Sequence, residues 1–452
     1  MKKELFSTIK VYLVTWLISI LLILSLLLFR AELSLGKSFR ELSELLLNSQ
    51  FLISLHVLFA VLYILFLILR YFISVFRNHG IKTMSKRLVL RVIIPVLFLF
   101  LIFKSIVYAN SSENFIYEWD YTVENTGNTI KDHYKIDKKH RGMSVFGWSS
   151  DNEKPIIELV KNNIEWVAVI PFIAQKDQYI TTMGTPEIIG KWSRRDSVFI
   201  KTISQLKAKG IHVQLKPHIW VNDGWRSDIA LKSKNEWNVW FDSYRDNLIH
   251  YAKMAEETGV ELLCVGTELR TSLKHMPDRW TSLIKEIKTI YHGQLTYAAN
   301  WDGEFELIDF WEELDYIGIQ AYFPITKTSK PDLETLKRGW DKHIIQLESL
   351  SKAHNKPILF TEIGYKSEVS ATIRPWEWGS FLGILYQKKS DQTQHLAYEA
   401  LFKQLWNKKW FAGTYIWQWD TRTPEDSAPT SLGFSPRYKP AQNTIAKWYA
   451  KL

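Results

Sequence analysis

Two glutamates lie where short apolar runs of the chain end. Glu268 is in the stretch Val265–Leu269, and Glu362 is in the stretch Leu359–Tyr365. Two carboxyl groups can break a glycosidic bond when one, kept protonated, donates to the leaving oxygen and the other, kept ionised, attacks the anomeric carbon. Glu268 and Glu362 are therefore the candidate catalytic pair. Because they are far apart in the chain, this chemistry depends on elements that bring them to one pocket. Without such elements they would be solvated side chains at loop edges.

From about residue 141 onward, short Val- and Ile-rich runs alternate with longer amphipathic stretches, which is typical of strands joined by crossover helices. The strands are predicted near residues 142–147, 165–171, 211–217, 260–267, 294–299, 316–321, 357–361 and 413–417. Eight such units over roughly 300 residues predict an α/β fold, a (β/α)8 TIM barrel. An open doubly wound sheet is the alternative, but no Gly-x-Gly-x-x-Gly turn follows the first strand.

The active site of a TIM barrel lies at the carboxyl ends of its strands, so the residues just after each run are candidate site residues. Glu268 and Glu362 follow the fourth and seventh runs, and Tyr322 follows the sixth. Across the barrel mouth, the two carboxyl groups could approach to about 5–5.5 Å, the separation that implies retention of configuration. Indole rings provide flat apolar surfaces for the C–H faces of sugars. The predicted substrate-binding residues are Trp148, His218, Trp220, Asn300, Trp301, Trp417 and Trp419.

The first 110 residues are far more apolar than the rest and contain three candidate transmembrane helices, near residues 11–29, 51–69 and 88–109. The first two have no Asp, Glu, Lys or Arg. The third has a shorter uncharged centre, which Arg91 and Lys104 bound. Both of these side chains could extend to the membrane–water interfaces, so the stretch still counts as a candidate span. A re-entrant or interfacial segment is the alternative for this third stretch. A signal-peptidase site after it, near residues 105–110, is another.

The positive charge of the chain is concentrated in this apolar region. Of 57 Lys and Arg and 47 Asp and Glu, residues 1–110 hold 13 and 4, which leaves 44 against 43 in the remainder. The net charge of +10 is thus a signal of membrane topology, and we expect no nucleic-acid partner.

The loops between the apolar stretches indicate their orientation. The second loop is strongly basic, with Arg70, Arg77, Lys82, Lys86, Arg87 and Arg91. The first loop has Arg30, Lys37 and Arg40, offset by Glu32, Glu41 and Glu44. Because basic loops stay in the cytoplasm, the pattern predicts a multi-pass membrane protein with its catalytic domain on the extracytoplasmic side. The lipid bilayer is then a partner of the amino-terminal helices.

The chain is therefore predicted to have three parts: a membrane anchor over residues 1–110, a polar, turn-rich linker over 111–140, and a barrel over 141–452. Its single cysteine, Cys264, excludes an intrachain disulfide and a multi-cysteine metal site. A long segment after the seventh strand, residues 366–391, could close one end of the cleft or could be an ordinary surface insertion.

Six short motifs of the barrel region occur in a characteristic order. They are RGMS at 141–144, KPHIW at 216–220, VGTEL at 265–269, DYIGIQAY at 315–322, FTEIGY at 360–365 and IWQWD at 416–420. On these motifs, the region from about Arg141 to Tyr449 resembles glycoside hydrolase family 113, among the retaining TIM-barrel glycosidases of clan A.

The resemblance implies that Glu268 is the general acid/base, that Glu362 is the nucleophile, and that Tyr322 holds the nucleophile in orientation. It implies β-mannan or glucomannan as the polysaccharide or oligosaccharide substrate. We expect no cofactor and no metal. Clan A enzymes commonly have asparagine just before the acid/base, where this chain has Thr267. Asn300 and His218 are the candidates by position for binding the sugar 2-hydroxyl instead.

Other functions remain open on sequence alone. One is a catalytically silent glycan-binding barrel tethered at the membrane, although binding alone would not require both glutamates. Another is a clan A glycosidase that acts on a different β-glycan of the cell surface. A metal-dependent hydrolase is disfavoured, because no His-x-His follows the first strand and no His-Glu-x-x-His helix occurs. No protein partner can be inferred.

Overall fold

The computed structural model describes residues 2–29, 42–43, 46, 49–149, 152–184, 192–379, 383–422 and 424–452. The chain divides into two compact units, Met1–Ile102 and Phe103–Leu452. The loop charges at Arg30, Lys37 and Arg40, which entered the topology prediction, lie outside the described residues.

The amino-terminal region is helical. Its helices are Lys2–Phe29 and Ser49–Leu88, and a π-helix, Val89–Ile93, leads into the helix Ile94–Ser111. Within the described ranges, the helical run Phe51–Ser111 is the one that is long and apolar enough to cross a membrane, and Lys10–Ser25 is a shorter apolar helix. The prediction of three separate transmembrane helices is not confirmed, because the second and third apolar stretches lie in this one 61-residue run. Its length and composition fit a membrane anchor or a signal sequence.

The second unit is built around a closed barrel of eight parallel strands, which confirms the predicted TIM-barrel fold. Its strands are β1 His140–Phe146, β2 Trp166–Val169, β4 His212–Leu215, β6 Leu262–Thr267, β7 Gln294–Asn300, β8 Tyr316–Gln320, β9 Ile358–Ile363 and β10 Phe411–Asp420. Each lies at one of the eight predicted runs. The sequence did not indicate β3 Phe172–Asp177 or β5 His218–Asp223, which form a separate parallel pair just after β2 and β4.

The strands are connected by helices. The longer ones are Glu153–Lys161, Trp192–Lys207, Lys234–Thr258, Pro277–Lys288, Leu333–His354, Asp391–Leu405 and Pro440–Tyr449, with a short helix Arg270–His275 after β6. Local sequence determines many of their ends. Ser233 and Glu236 form a capping box at the start of Lys234–Thr258, and Gly259 ends this helix with φ 63°.

The core has two layers. Trp166, Leu262, Tyr316, Leu359 and Tyr415 pack in one cluster with other barrel residues, and a larger cluster fills the space between strands and helices. The strands approach closely at Gly413, which has φ 109° and where a Cβ atom would lie 2.3 Å from the carbonyl oxygen of His140. Glycine is therefore required for β10 to close the barrel against β1.

Residues 112–139 hydrogen-bond with the barrel region along their length. The Glu113 carboxylate accepts from the backbone N–H of Asp391 at 2.7 Å, and the Asn443 side chain accepts from the hydroxyl of Tyr117 at 3.0 Å. Further along, the carboxylate of Glu165 accepts from the backbone N–H groups of residues 133 and 134. This segment is thus held to several elements of the barrel.

Candidate active site

The strand register brings the candidate catalytic residues to one end of the barrel. Asn300, the last residue of β7, is paired with Gln320, the last residue of β8, and Gln320 is paired with Glu362 of β9. Glu268 directly follows β6. Because the strands are parallel, all four residues lie at the carboxyl ends of neighbouring strands.

A cavity of about 950 Å³ opens at this end. It is lined by Phe146, Phe172, His218, Trp220, Trp225, Arg226, Ser227, Asp228, Glu268, Arg270, Asn300, Trp301, Asp302, Tyr322, Glu362, Trp376, Glu377, Trp378, Trp417, Gln418, Arg422 and Phe434. Both glutamates, Tyr322 and five of the predicted substrate-binding residues therefore share one cavity.

Glu268 is tightly held. Its carboxylate accepts from Arg226 Nη2 at 2.7 Å and from Asn300 Nδ2 at 2.7 Å. Its backbone has φ 53°, in the left-handed region that costs a glutamate about 1 kcal/mol or more. Its N–H donates to the carbonyl of Ala298, and its carbonyl accepts from the hydroxyl of Ser227. These bonds hold the unusual conformation and direct the side chain into the cavity.

Glu362 is held by three donors. Oε1 accepts from the Tyr322 hydroxyl at 2.5 Å, while Oε2 accepts from Lys216 Nζ at 2.9 Å and from Gln320 Nε2 at 2.8 Å. Burial and the nearby carboxylate of Glu362 raise the pKa of Tyr322 well above its usual value, so this phenol stays protonated and donates. Tyr322 therefore lies where its hydroxyl can restrict rotation of the Glu362 carboxylate.

His218 lies in the same cavity as a buried, neutral imidazole. Burial, together with the positive charges of Lys216 and Arg226, lowers the pKa of His218 well below its usual value. In the part of the chain that the structure describes, no group bonds its Nε2 atom. This nitrogen is buried as well as unpaired, and the imidazole that carries it lines the cavity.

A second carboxyl group supports the residues around Glu268. Glu304 is completely buried, accepts from the Tyr297 hydroxyl at 2.6 Å, and accepts from the backbone N–H of Asn300 at 3.1 Å. Burial, assisted by the negative charge of Glu268, raises the pKa of Glu304 to about 7. It holds in place the same asparagine that donates to Glu268.

Aromatic rings surround the carboxylates. Trp376 stacks on Trp301 with ring centroids 5.1 Å apart, and Trp378 meets Trp417 edge to face at 6.0 Å. Trp220, on β5, is 52% exposed although it lines the cavity. Flat, accessible indole faces of this kind are suited to sugar rings.

Two of the predicted substrate-binding residues, Trp148 and Trp419, are not among the residues that line this cavity. Trp148 is partly buried and packs against the layer between strands and helices, and Trp419 is 1% exposed within that layer. The pairing of β1 with β10 shifts from Ile416 to Trp419 over two residues of β1, which is a bulge. A bulge breaks the alternation of faces, so Trp417 and Trp419 join different clusters.

Several lining residues were not among the predicted site residues. The clearest are Arg226, which lies in the connection after β5, and Trp376 and Trp378. The two tryptophans belong to a Pro-Trp-Glu-Trp run in the segment 366–391, which the sequence indicated could close one end of the cleft. Residues 380–382 of the segment lie outside the described residues.

Comparisons with known proteins agree with this geometry. The model of Glycoside Hydrolase Family 113 matches residues 146–439. Among solved structures, the GH113 β-mannanase AaManA from Alicyclobacillus acidocaldarius, in complex with ManMIm, is 25% identical with a TM-score of 0.61, and the match covers 69% of this chain and 97% of that one.

Another structure, described as a GH113 β-1,4-mannanase, is 26% identical with a TM-score of 0.59 over 69% of this chain and 98% of that one. A search of curated proteins found no match. The structural matches thus span nearly all of each mannanase chain.

Proposed function

Because the chain belongs to glycoside hydrolase family 113, we propose that it hydrolyses a β-linked mannan or glucomannan by a retaining double displacement. Glu362 is the nucleophile in this proposal, and Glu268 is the general acid/base. The observation that supports it most directly is that both carboxylates line one cavity, with Tyr322 donating to Glu362.

In the first step, Glu362 attacks the anomeric carbon while Glu268 gives its proton to the leaving oxygen. Arg226, which already contacts Glu268 in the free enzyme, stays paired with the carboxylate that Glu268 has become. In the second step, Glu268 removes a proton from water, which attacks the anomeric carbon and frees Glu362. The contacts of Glu268 with Arg226 and Asn300 orient it for both steps.

The aromatic rings and polar groups of the cavity suit a polysaccharide or oligosaccharide substrate. Two structures to which the chain is similar are described as a β-mannanase and a β-1,4-mannanase, which supports a β-1,4-linked mannan as the substrate. Asn300 donates to Glu268, whereas Nε2 of His218 has no partner in the described structure. We therefore assign recognition of the sugar 2-hydroxyl to His218.

The test is a panel of β-glycans assayed with the detergent-solubilised full-length chain, with released sugars measured by mass spectrometry. We expect mannan or glucomannan to be cleaved, with the β-anomer as the first product in NMR. Glu362→Ala should abolish turnover, and azide should restore it as a glycosyl azide of inverted configuration. Glu268→Gln should lose far more activity on substrates with poor leaving groups than on activated aryl glycosides.

Glu334→Ala is the matched control, because this glutamate is on the exposed face of the helix Leu333–His354. It should retain wild-type turnover. If Glu362→Ala hydrolysed the active glycan at the wild-type rate, the nucleophile assignment would be wrong. Binding of glycans without any turnover would instead support the silent, glycan-binding alternative, and cleavage of another β-glycan alone would change the substrate assignment.

The apolar amino-terminal region is assigned, as part of the same proposal, to a multi-pass membrane anchor with the barrel on the extracytoplasmic side. A run of 61 residues is about three times the roughly 20 that one crossing needs. Gly80, with φ 74°, interrupts the helix Ser49–Leu88. It lies in the basic stretch between the two apolar parts of the 61-residue run. Two crossings joined by a cytoplasmic basic turn would account for both features.

A further inference from the structure

A buried lysine lies beneath the candidate nucleophile. Lys216, which follows β4, has no exposed surface. Its Nζ atom donates to three acceptors: Gln320 Oε1 at 2.8 Å, the Thr361 carbonyl at 3.0 Å and Glu362 Oε2 at 2.9 Å. Burial of an ammonium group costs several kcal/mol unless it is paired and hydrogen-bonded. The three acceptors give the buried ammonium group of Lys216 one partner for each of its N–H donors.

The contacts make the two oxygens of Glu362 unequal. Oε2 accepts from Lys216 and Gln320, neither of which lines the cavity. Oε1 accepts from Tyr322, which does line it. One oxygen is thus anchored from within the barrel, while the other lies on the cavity side.

We propose that Lys216 is a positioning residue that holds Oε2 of Glu362, so that Oε1 is the atom that bonds the anomeric carbon. This inference rests on the proposed role of Glu362 as nucleophile. A carboxylate held at one oxygen by a charged donor and an amide has little freedom to rotate. Its second oxygen is then presented to the substrate in a fixed direction.

The chemical step shows why the charge of Lys216 matters. Oε1 forms an ester bond with the anomeric carbon as the glycosidic C–O bond breaks, and the leaving oxygen takes the proton of Glu268. The ester has no charge, so Lys216 is left as a buried cation without a counter-ion. When water cleaves the ester, the carboxylate and its ion pair return. The lysine therefore stabilises the negative charge that returns to Glu362 when Glu362 leaves in the second step.

The test is Lys216→Met in the full-length chain, assayed with the glycan that the wild type cleaves and with its activated aryl glycoside. We expect kcat to fall by roughly 100-fold or more with little change in KM, because the nucleophile is misplaced. A purely structural role would reduce the fraction of folded enzyme, measured by circular dichroism, and would leave kcat per folded enzyme at the wild-type value.

Gln320→Met is the second variant, and it decides the question if Lys216→Met does not fold. It removes one of the two donors to Oε2 while the ion pair stays, so we expect a loss in kcat of about 10-fold at unchanged KM. Wild-type kcat per folded enzyme in these variants, with Glu362→Ala inactive, would overturn the role of Lys216. An active Glu362→Ala would instead overturn the proposed function itself.

Discussion

At the scale of residues, the site depends on buried charged groups that hold its carboxylates. Lys216 and Gln320 hold Glu362, whereas Arg226 and Asn300 hold Glu268. Each of these donors is far from its acceptor in sequence. The glutamates and Asn300 could be predicted, because they follow apolar runs, but Lys216 and Arg226 could not, because lysine and arginine at strand ends are usually solvated.

Glu304 should make the stability of the barrel depend on pH. Burial raises the pKa of Glu304 from 4.5 to about 7, so the folded state binds its proton more tightly than the unfolded state does. Its contribution to the free energy of unfolding is fully present below about pH 4.5 and is lost as the pH rises through about 7. The loss is on the order of 3 kcal/mol.

We therefore expect Glu304→Gln, which mimics the protonated acid, to remove this component. The measurement is Tm against pH by tryptophan fluorescence, which reports on the barrel because 19 of the 20 tryptophans follow residue 110. The difference in Tm between variant and wild type should grow in favour of the variant from pH 5 to pH 8. A difference independent of pH would contradict the shifted titration of Glu304, and the exposed Glu334→Gln serves as control.

At the scale of elements, the sequence predicted the eight barrel strands but not the two additional strands or the bulge. The eight barrel strands are buried on both faces, so each is a nearly continuous apolar run that the sequence displays. The pair β3 and β5 escaped prediction, because each strand has only three consecutive apolar residues and directly follows a proline. The bulge in β10 also has no sequence signal, and it decided which of two tryptophans faces the cavity.

Residues 112–139, which precede the barrel, also make contacts that the sequence did not predict. Its polar, turn-rich composition predicts a linker, but composition carries no information about partners that are distant in sequence. Glu113 accepts from the hydroxyl of Ser390 at 2.7 Å and from the backbone N–H groups of Asp391 and Gln392. These are donors at the start of the helix Asp391–Leu405, where a negative charge also meets the positive end of the helix dipole.

Glu113→Ala should therefore destabilise the barrel by about 1–2 kcal/mol, the cost of losing a helix cap. We expect a fall in Tm of about 2–4 °C, measured by tryptophan fluorescence. Glu118→Ala, an exposed site in the same segment, is the matched control and should leave Tm unchanged. Equal effects of the two substitutions would show that Glu113 has no capping role.

At the scale of the whole molecule, the proposed role of the apolar amino-terminal region is to attach the barrel to a membrane. We expect the full-length chain to remain with the membrane fraction after carbonate extraction, since its apolar run exceeds the length of one crossing. Protease added to intact cells should then remove the barrel. A mature chain whose amino terminus, by mass spectrometry, lies near residue 110 would indicate a cleaved signal sequence, and protection of the barrel from protease would reverse the proposed orientation.

The sequence by itself determined the fold class, the eight strands and the two glutamates, since buried parallel strands and the residues at their ends leave a local pattern. The tertiary structure alone decided which side chains meet. Lys216 reaches Glu362, and Glu113 reaches the helix at Asp391, across more than a hundred residues in each case. Such contacts depend on how the barrel closes and in what register, and chain closure is a property of the whole fold that no local stretch of residues encodes.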